Sequence, residues 1–418
     1  SRLRICIRIG RKHMGEVVKI ELPDHVTYII RELSERGYEA YAVGGCIRDT
    51  LLGRKPGDWD ITTSASPTKV KQIFPRTIDT GIAHGTVTVM LEKCGYEVTT
   101  YRVDGIYEDG RHPKIVEFTA SLEEDLKRRD FTINAMAYNE KSGLVDIFHG
   151  IDDLGKKVIC CVGSAKDRFT EDALRMLRAV RFAAQLGFTL EESTINGICL
   201  LAPRLAMVSK ERIQAELTKI LLSLYPQRIE DIFLYGLAGQ IFPGLVEYYK
   251  QADKKKMQRL LMQAEQDIIL RYTAFFTIIQ ETPAERYRKV YNILKELRFD
   301  NHTIDFVSRL SEYYNMELSK EKATLRKQIV EVGEDIFPYL LKFQQEKEIE
   351  RLYQEIIEAG DCLSIGKLAI NGKDLMEAGV ATGKGMGELL NQLLYQVLEK
   401  PEWNTKEKLL GLVKENRK

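Results

Sequence analysis

Several features are scarce in this chain of 418 residues, and each scarcity narrows what it can be. The seven cysteines (Cys6, Cys46, Cys94, Cys160, Cys161, Cys199, Cys362) form no CxxC pair and no Cys/His cluster at zinc-ligand spacing. That argues against a disulfide-stapled domain or a zinc ribbon, and an odd, scattered set of thiols fits a reducing, cytoplasmic compartment. No apolar run approaches the ~20 residues that span a bilayer, so a membrane is not expected as a partner. The six histidines show no constellation. Charge of one sign is also missing: 62 Lys and Arg against 61 Asp and Glu leave a formal net charge of +1. This does not bear on nucleic acid, which needs a local basic face and not a basic total. There is no internal repeat and no low-complexity tract. The first residues, SRLRICIRIGRKHM, are basic and partly apolar but lack the long apolar core and cleavage site of a secretory signal. We read residues 1–14 as a leader or tag with a natural start near Met14; a mobile basic arm is the alternative.

What is present changes character near residue 150. Before it lie short β-rich runs at 39–43, 60–63, 86–91, 96–101 and 115–118, separated by Gly and Asp turns and short helical patterns. After Asp167 nearly everything carries apolar residues at three- and four-residue spacing, as in Ile213 to Leu224 and Glu388 to Leu398. Breaks are expected at Pro203, Pro226, Pro243, Pro283 and Pro338. The pattern predicts a mixed α/β head followed by a long helical body.

The informative segment is residues 44–63, GGCIRDTLLGRKPGDWDITT. Gly44 and Gly45 follow a β run and precede a helical one. Without Cβ atoms their N–H groups can approach a triphosphate, and the helix N-terminus favours an anion. Arg48, one turn on, can add a charge-assisted contact to phosphate. Asp58 and Asp60 open a strand, where side chains two apart share a face. Two carboxylates so placed suit a hard cation such as Mg²⁺, half of a two-metal site for in-line phosphoryl transfer.

This segment resembles the signature of the polymerase-beta-type nucleotidyltransferases, in the branch of class II tRNA nucleotidyltransferases and bacterial poly(A) polymerases. Further segments are similar to that branch in the right order: RRDFTINAMA at 128–137, Asp153-Leu154-Gly155 with Val158-Ile159, EDALRMLRAVRF at 171–182 and ERIQAELTKI at 211–220. Together they cover roughly residues 40 to 222. The resemblance implies an α+β fold: a polymerase-beta-like head with a mixed sheet and helices (15–150), then an all-α neck (151–222), body (223–318) and tail (319–418). It implies CMP and AMP addition to the 3′ end of tRNA without a template, with Mg²⁺, CTP and ATP. Catalysis and metal binding would fall to Asp58 and Asp60, with Glu97 favoured over Asp130 as a third carboxylate that helps activate the 3′-hydroxyl. Nucleotide contacts would come from Gly45, Arg48, Arg129, Asp172, Arg175, Arg178 and Arg181.

The 171–182 run can also be read physically. Thr170 is expected to cap a helix in which Glu171 and Asp172 suit the first turn, and Asp172 and Arg175 neighbour each other at i and i+3. A carboxylate accepts from an amino group, and a guanidinium donates to a ring nitrogen or carbonyl. Cytosine and adenine match that pair; guanine and uracil leave mismatched partners, each costing about 1–3 kcal/mol when buried. Arg181, two steps of three beyond Arg175, should have drifted around the helix away from Asp172. His84 is read as a turn residue. The polar segment from Asp104 to Pro113 resembles the flexible loop that CCA- and A-adding enzymes keep. The stretches 370–379, 383–387 and 401–406 are similar to the tail of Bacillus-type enzymes and suggest contact with the acceptor and T arms of tRNA. Lys254 to Arg259 is a basic stripe, read as a solvated face or a phosphate contact. The rival readings are a poly(A) polymerase, an A-adding enzyme and, from another class, a non-catalytic RNA-binding protein, which should have lost a metal carboxylate. The sequence leaves the oligomeric state open.

Overall fold

The computed structural model describes residues 18–104, 116–380 and 383–415. The leader at 1–14 and most of the Asp104–Pro113 loop lie outside the described residues. The chain forms two compact units, residues 1–251 and 252–418. Head and neck thus share one unit, and the division falls beyond the expected neck border at 222.

The first unit is built on a seven-stranded sheet in the order β3-β4-β5-β2-β1-β8-β9. Strand β1 (Ala40–Val43), flanked by β2 and β8, is apolar and buried at every position. Helix α1 (Asp24–Glu35) covers it with Val26, Ile29, Ile30 and Leu33, a single stripe at helical spacing. Strand β2 (Asp60–Thr63) runs antiparallel to β1 with Asp60 opposite Val43. Strands β3 (Thr77–Gly81), β4 (Thr86–Leu91) and β5 (Cys94–Thr100) extend one side. β5 lies parallel to β2 with Val98 opposite Ile61, which brings Glu97 level with Asp60. Strands β6 (Arg102–Asp104) and β7 (Val116–Phe118) pair as a separate ribbon. Strands β8 (Ala137–Asn139) and β9 (Gly143–Val145) close the other side of the sheet.

Between these strands stand α2 (Gly45–Leu51), α3 (Pro67–Ile73), which Ser66 caps, and α4 (Leu122–Lys127), which Ser121 caps. The neck follows as α5 (Gly150–Lys156), α6 (Ala165–Glu171), α7 (Leu174–Leu186), α8 (Glu192–Leu201) and α9 (Lys210–Leu221). A short parallel pair, β10 (Val158–Ile159) with β11 (Thr189–Leu190), ties its loops. Helix α7 is buried along most of its length and packs on α9. The second unit is helical throughout its described residues, from Lys254–Gln263 to Lys406–Glu415.

The five β runs and the α-rich remainder appear where the sequence suggested. β3 escaped notice because TIDTG is a polar, mostly exposed edge strand. Pro226 and Pro243 open 3₁₀ turns and Pro283 opens a helix, while Pro203 and Pro338 each take the second position of an element, the 3₁₀ turn Ala202–Met207 and the helix Phe337–Gln344. Thr170 differs from expectation. It lies inside α6, which Ser164 caps by accepting from the Asp167 N–H. The chain breaks at Asp172, in extended backbone, before α7 restarts at Leu174. Asp172 therefore precedes the helix that carries Arg175, and the two are not one turn apart on a common face.

Candidate active site

Two clusters of functional side chains meet in the first unit. One is carboxylate-rich and lies where β2 begins beside β5, inside the sheet. Asp60 opens β2 and Asp58 precedes that strand, both exposed. Glu97, exposed on β5, is level with Asp60 through the parallel register. Partial withdrawal of water from Asp60 raises its pKa; the Glu97 charge adds to the rise, Arg129 opposes it, and Asp58 adds again. Asp60 thus feels both of the other acids. Among the described residues, no group of three or more His, Cys, Asp and Glu side chains is arranged to hold a metal ion. Cys46 is no candidate ligand: its buried thiol donates to the Val43 carbonyl and is pushed up to about 11, chiefly by burial. What remains is a pair of carboxylates with hard oxygen donors, which fits a cation that completes its shell from substrate phosphates and water.

The other cluster is a cleft of about 270 Å³ lined by Arg128, Arg129, Asp130, Asp172, Leu174, Arg175, Arg178 and Arg212. Five guanidiniums and two carboxylates line it, and Asp125 and Glu171 pair with three of these arginines from behind, so the cleft keeps a modest positive excess. Such a cleft concentrates anionic ligands. Asp172 accepts from the Leu174 N–H (3.0 Å) and from both terminal nitrogens of Arg212 (3.5 and 2.8 Å). Arg175 donates to Glu171 (2.6 Å) and to the Arg128 carbonyl (3.0 Å). The expected Asp172 and Arg175 thus reach the same cleft, each steadied by a different partner.

Asp130 is buried and bound to Arg178 through Nε (2.7 Å) and Nη2 (2.6 Å), and it also accepts from Asn134 (3.3 Å). Burial alone would raise its pKa, but the Arg178 and Arg175 charges and these hydrogen bonds hold it at about 2. Asp130 so engaged braces α7, while Glu97 lies open to solvent level with Asp60.

Gly44 takes φ 83° and ψ −130° before α2, a conformation that glycine alone adopts without strain. Gly45 begins the helix, and Arg48 beneath it is buried. It donates to Asn134 (2.7 Å) and pairs with Asp49 (2.8 Å), over the Phe182 ring. Neither Gly45 nor Arg48 lines the cleft. Arg181 also stands apart: it is buried, paired with Glu216 of α9 (2.5 Å) and stacked 4.1 Å over Phe182. The three arginines Arg48, Arg178 and Arg181 all surround that one ring. His84 sits in a 3₁₀ turn whose carbonyl accepts from Arg102.

Sequence reasoning missed Arg128, Arg212 and Asp125. The first two lie inside motifs that were noticed. Asp125 is the acid that stands three and four residues before Arg128 and Arg129, a spacing that would have paired them on a helix.

Comparison with known proteins places these features in a family. The model of the poly A polymerase head domain matches residues 40–160, and that of an RNA- and SrmB-binding site of polymerase A matches 187–249. A tRNA nucleotidyltransferase domain 2 model matches 266–413. The CCA-adding enzyme of Enterococcus faecalis is 39% identical over 399 residues, 93% of this chain and 95% of that protein. That of Geobacillus kaustophilus is 40% identical over 93% of this chain and 96% of its own. The crystal structure of the Bacillus stearothermophilus CCA-adding enzyme in complex with CTP superimposes with a TM-score of 0.76 at 34% identity, covering 94% of this chain and 96% of that one.

Proposed function

The chain belongs to the CCA-adding enzymes, which are nucleotidyltransferases, and we propose that it adds CMP, CMP and AMP from CTP and ATP to the 3′ end of tRNA without a nucleic-acid template. The observation that carries this reading is the arginine-rich cleft between head and neck, whose Arg129 also acts by its charge on Asp60 at the start of β2.

Asp58 and Asp60 would hold Mg²⁺, which supplies charge neutralisation and Lewis-acid polarisation at the α-phosphate. The guanidiniums of Arg128, Arg129 and Arg178 offset the triphosphate charge and fix its position. Glu97, open to solvent and level with Asp60, is the group to accept the proton of the attacking 3′-hydroxyl. Asp172 reads the base. An ionised carboxylate has about four lone-pair sites, and Leu174 and Arg212 use three of them. The remaining site can accept from N4–H₂ of cytosine or N6–H₂ of adenine, while Arg175 donates to the neighbouring ring nitrogen. Arg212 keeps Asp172 aimed, so a base that offers a carbonyl there meets another acceptor. The helical second unit would hold the acceptor and T arms of tRNA, and the basic Lys254–Arg259 stripe and the 401–406 turn are candidates for backbone contact.

The test is incubation of the purified protein with a tRNA transcript lacking CCA, Mg²⁺ and each labelled nucleotide singly and together. Growth by C, C and A that stops there and is lost in EDTA supports the proposal. Long A tracts would indicate a poly(A) polymerase, A added only to CC-ended tRNA an A-adding enzyme, and no incorporation a binding protein.

A further inference from the structure

We propose that Asp125 is a positioning residue for the transfer reaction, a fully buried carboxylate that holds Arg129 against the Gly44 turn. Asp125 lies on α4 with no exposed surface. It accepts from Arg128 Nε (3.1 Å) and Nη2 (2.9 Å), from Arg129 Nη2 (3.3 Å), from the Thr62 hydroxyl (3.1 Å) and from the Arg102 N–H (3.4 Å). A buried charge must be paired; the forked contact from Arg128 supplies part of that, and Arg129 adds a second cation.

Arg129 in turn depends on Asp125. Its Nε is buried with no hydrogen-bond partner among the described residues. Its Nη1 stands 3.2 Å from where a Gly44 Cβ would be, so the guanidinium lies across the glycine turn and on the wall of the cleft. Thr62, the other side chain on Asp125, is two residues past Asp60 on β2. One buried carboxylate therefore fixes the relation between the strand that carries Asp60 and the arginine that faces it. The Arg128 carbonyl, held by the same contact, receives Arg175 from the neck, so the anchor extends towards the base-reading groups. Because Asp125 acts on a cation common to every nucleotide, its loss should slow C and A addition alike and leave base choice unchanged.

This inference rests on the transferase reading above, and the experiment separates the two. Incorporation of CTP and ATP by the unaltered full-length protein tests the reading itself. For any nucleotide it incorporates, kcat and KM are then measured for Asp125→Asn, Arg129→Ala and the double variant, alongside thermal unfolding. Asp125→Asn keeps the shape and loses the charge. It should lower kcat/KM about ten- to a hundred-fold, as for loss of a charged hydrogen bond, with the C-to-A ratio preserved. In the Arg129→Ala background the same substitution should cost less than about three-fold, since the partner is already gone. Equal losses in both backgrounds would show that Asp125 serves only the fold and would overturn the proposal. Should Asp125→Asn fail to unfold cooperatively, Arg129→Ala decides alone. It should lose about ten-fold or more in activity at a temperature where it stays folded, with Arg128 still paired to Asp125. Unchanged activity in Arg129→Ala would overturn the proposal.

Discussion

Gly44→Ala is a sharp test of how the glycine turn serves the cleft. The residue has φ 83° and ψ −130°, where an L side chain is strained by about 1–3 kcal/mol. Its new Cβ would stand 3.2 Å from Arg129 Nη1 and 3.7 Å from the Asn134 carbonyl. The carbonyl belongs to the packed turn and cannot retreat, so the guanidinium must. For about 2 kcal/mol, a unit of some 250 residues should melt roughly 4–8 °C lower. Gly37 supplies the control. It also has a positive φ, 86°, just past α1, but a Cβ there would meet nothing within 4 Å. Gly37→Ala should cost about 1–2 kcal/mol of stability and no activity beyond about two-fold. Gly44→Ala should lose about ten-fold or more in kcat/KM, since a misplaced charge contact is worth 1.5–3 kcal/mol. Melting followed by circular dichroism and nucleotide incorporation at a temperature where both variants stay folded provide the comparison. Equal activity in the two variants would refute the view that Gly44 is there to admit Arg129.

Other consequences can be checked in the same assays. Asp58→Ala should abolish C and A addition together while leaving the melting temperature close to that of the parent, because Asp58 is exposed; near-normal turnover would remove it from the metal pair. Arg212→Ala leaves Asp172 with the Leu174 N–H and should weaken discrimination against GTP and UTP about ten-fold, read from single-nucleotide rates. Asp231 offers a pH test. It is 4% exposed, and burial raises its pKa to about 6 despite Arg228 at 3.2 Å. A folded-state value above the unfolded one means that its contribution is fully present below the ordinary carboxylate range and is lost as pH rises through about 6. Asp231→Asn should therefore match the parent near pH 4 and exceed it by about 2–3 kcal/mol at pH 8, as measured by denaturant unfolding at each pH.

Much of the head was legible because its chemistry is local. The GG turn, the Asp58–Asp60 pair and the strand that carries Glu97 each lie within a short, ordered segment, and alternation or spacing places them. What could not be read is what depends on pairing across the chain. Asp172 and Arg175 look like an intrahelical pair in sequence, but the backbone breaks between them, and their partners are Arg212, 40 residues on, and Glu171. Arg48 and Arg181 have the residue type of phosphate ligands; their burial against Asn134, Glu216 and Phe182 is a tertiary fact. That Arg178 holds Asp130 while Glu97 stays exposed is likewise a tertiary fact. The division at 251 leaves no composition signal, since helices on both sides share the same amphipathic pattern.

The most direct test of template-free base choice is the rate of GTP and UTP incorporation by Asp172→Ala, relative to CTP and ATP, on a tRNA transcript lacking CCA. If side chains select the base, the variant should still transfer nucleotides while its preference for C and A falls about ten-fold or more. An active variant with unchanged preference would show that Asp172 does not read the base.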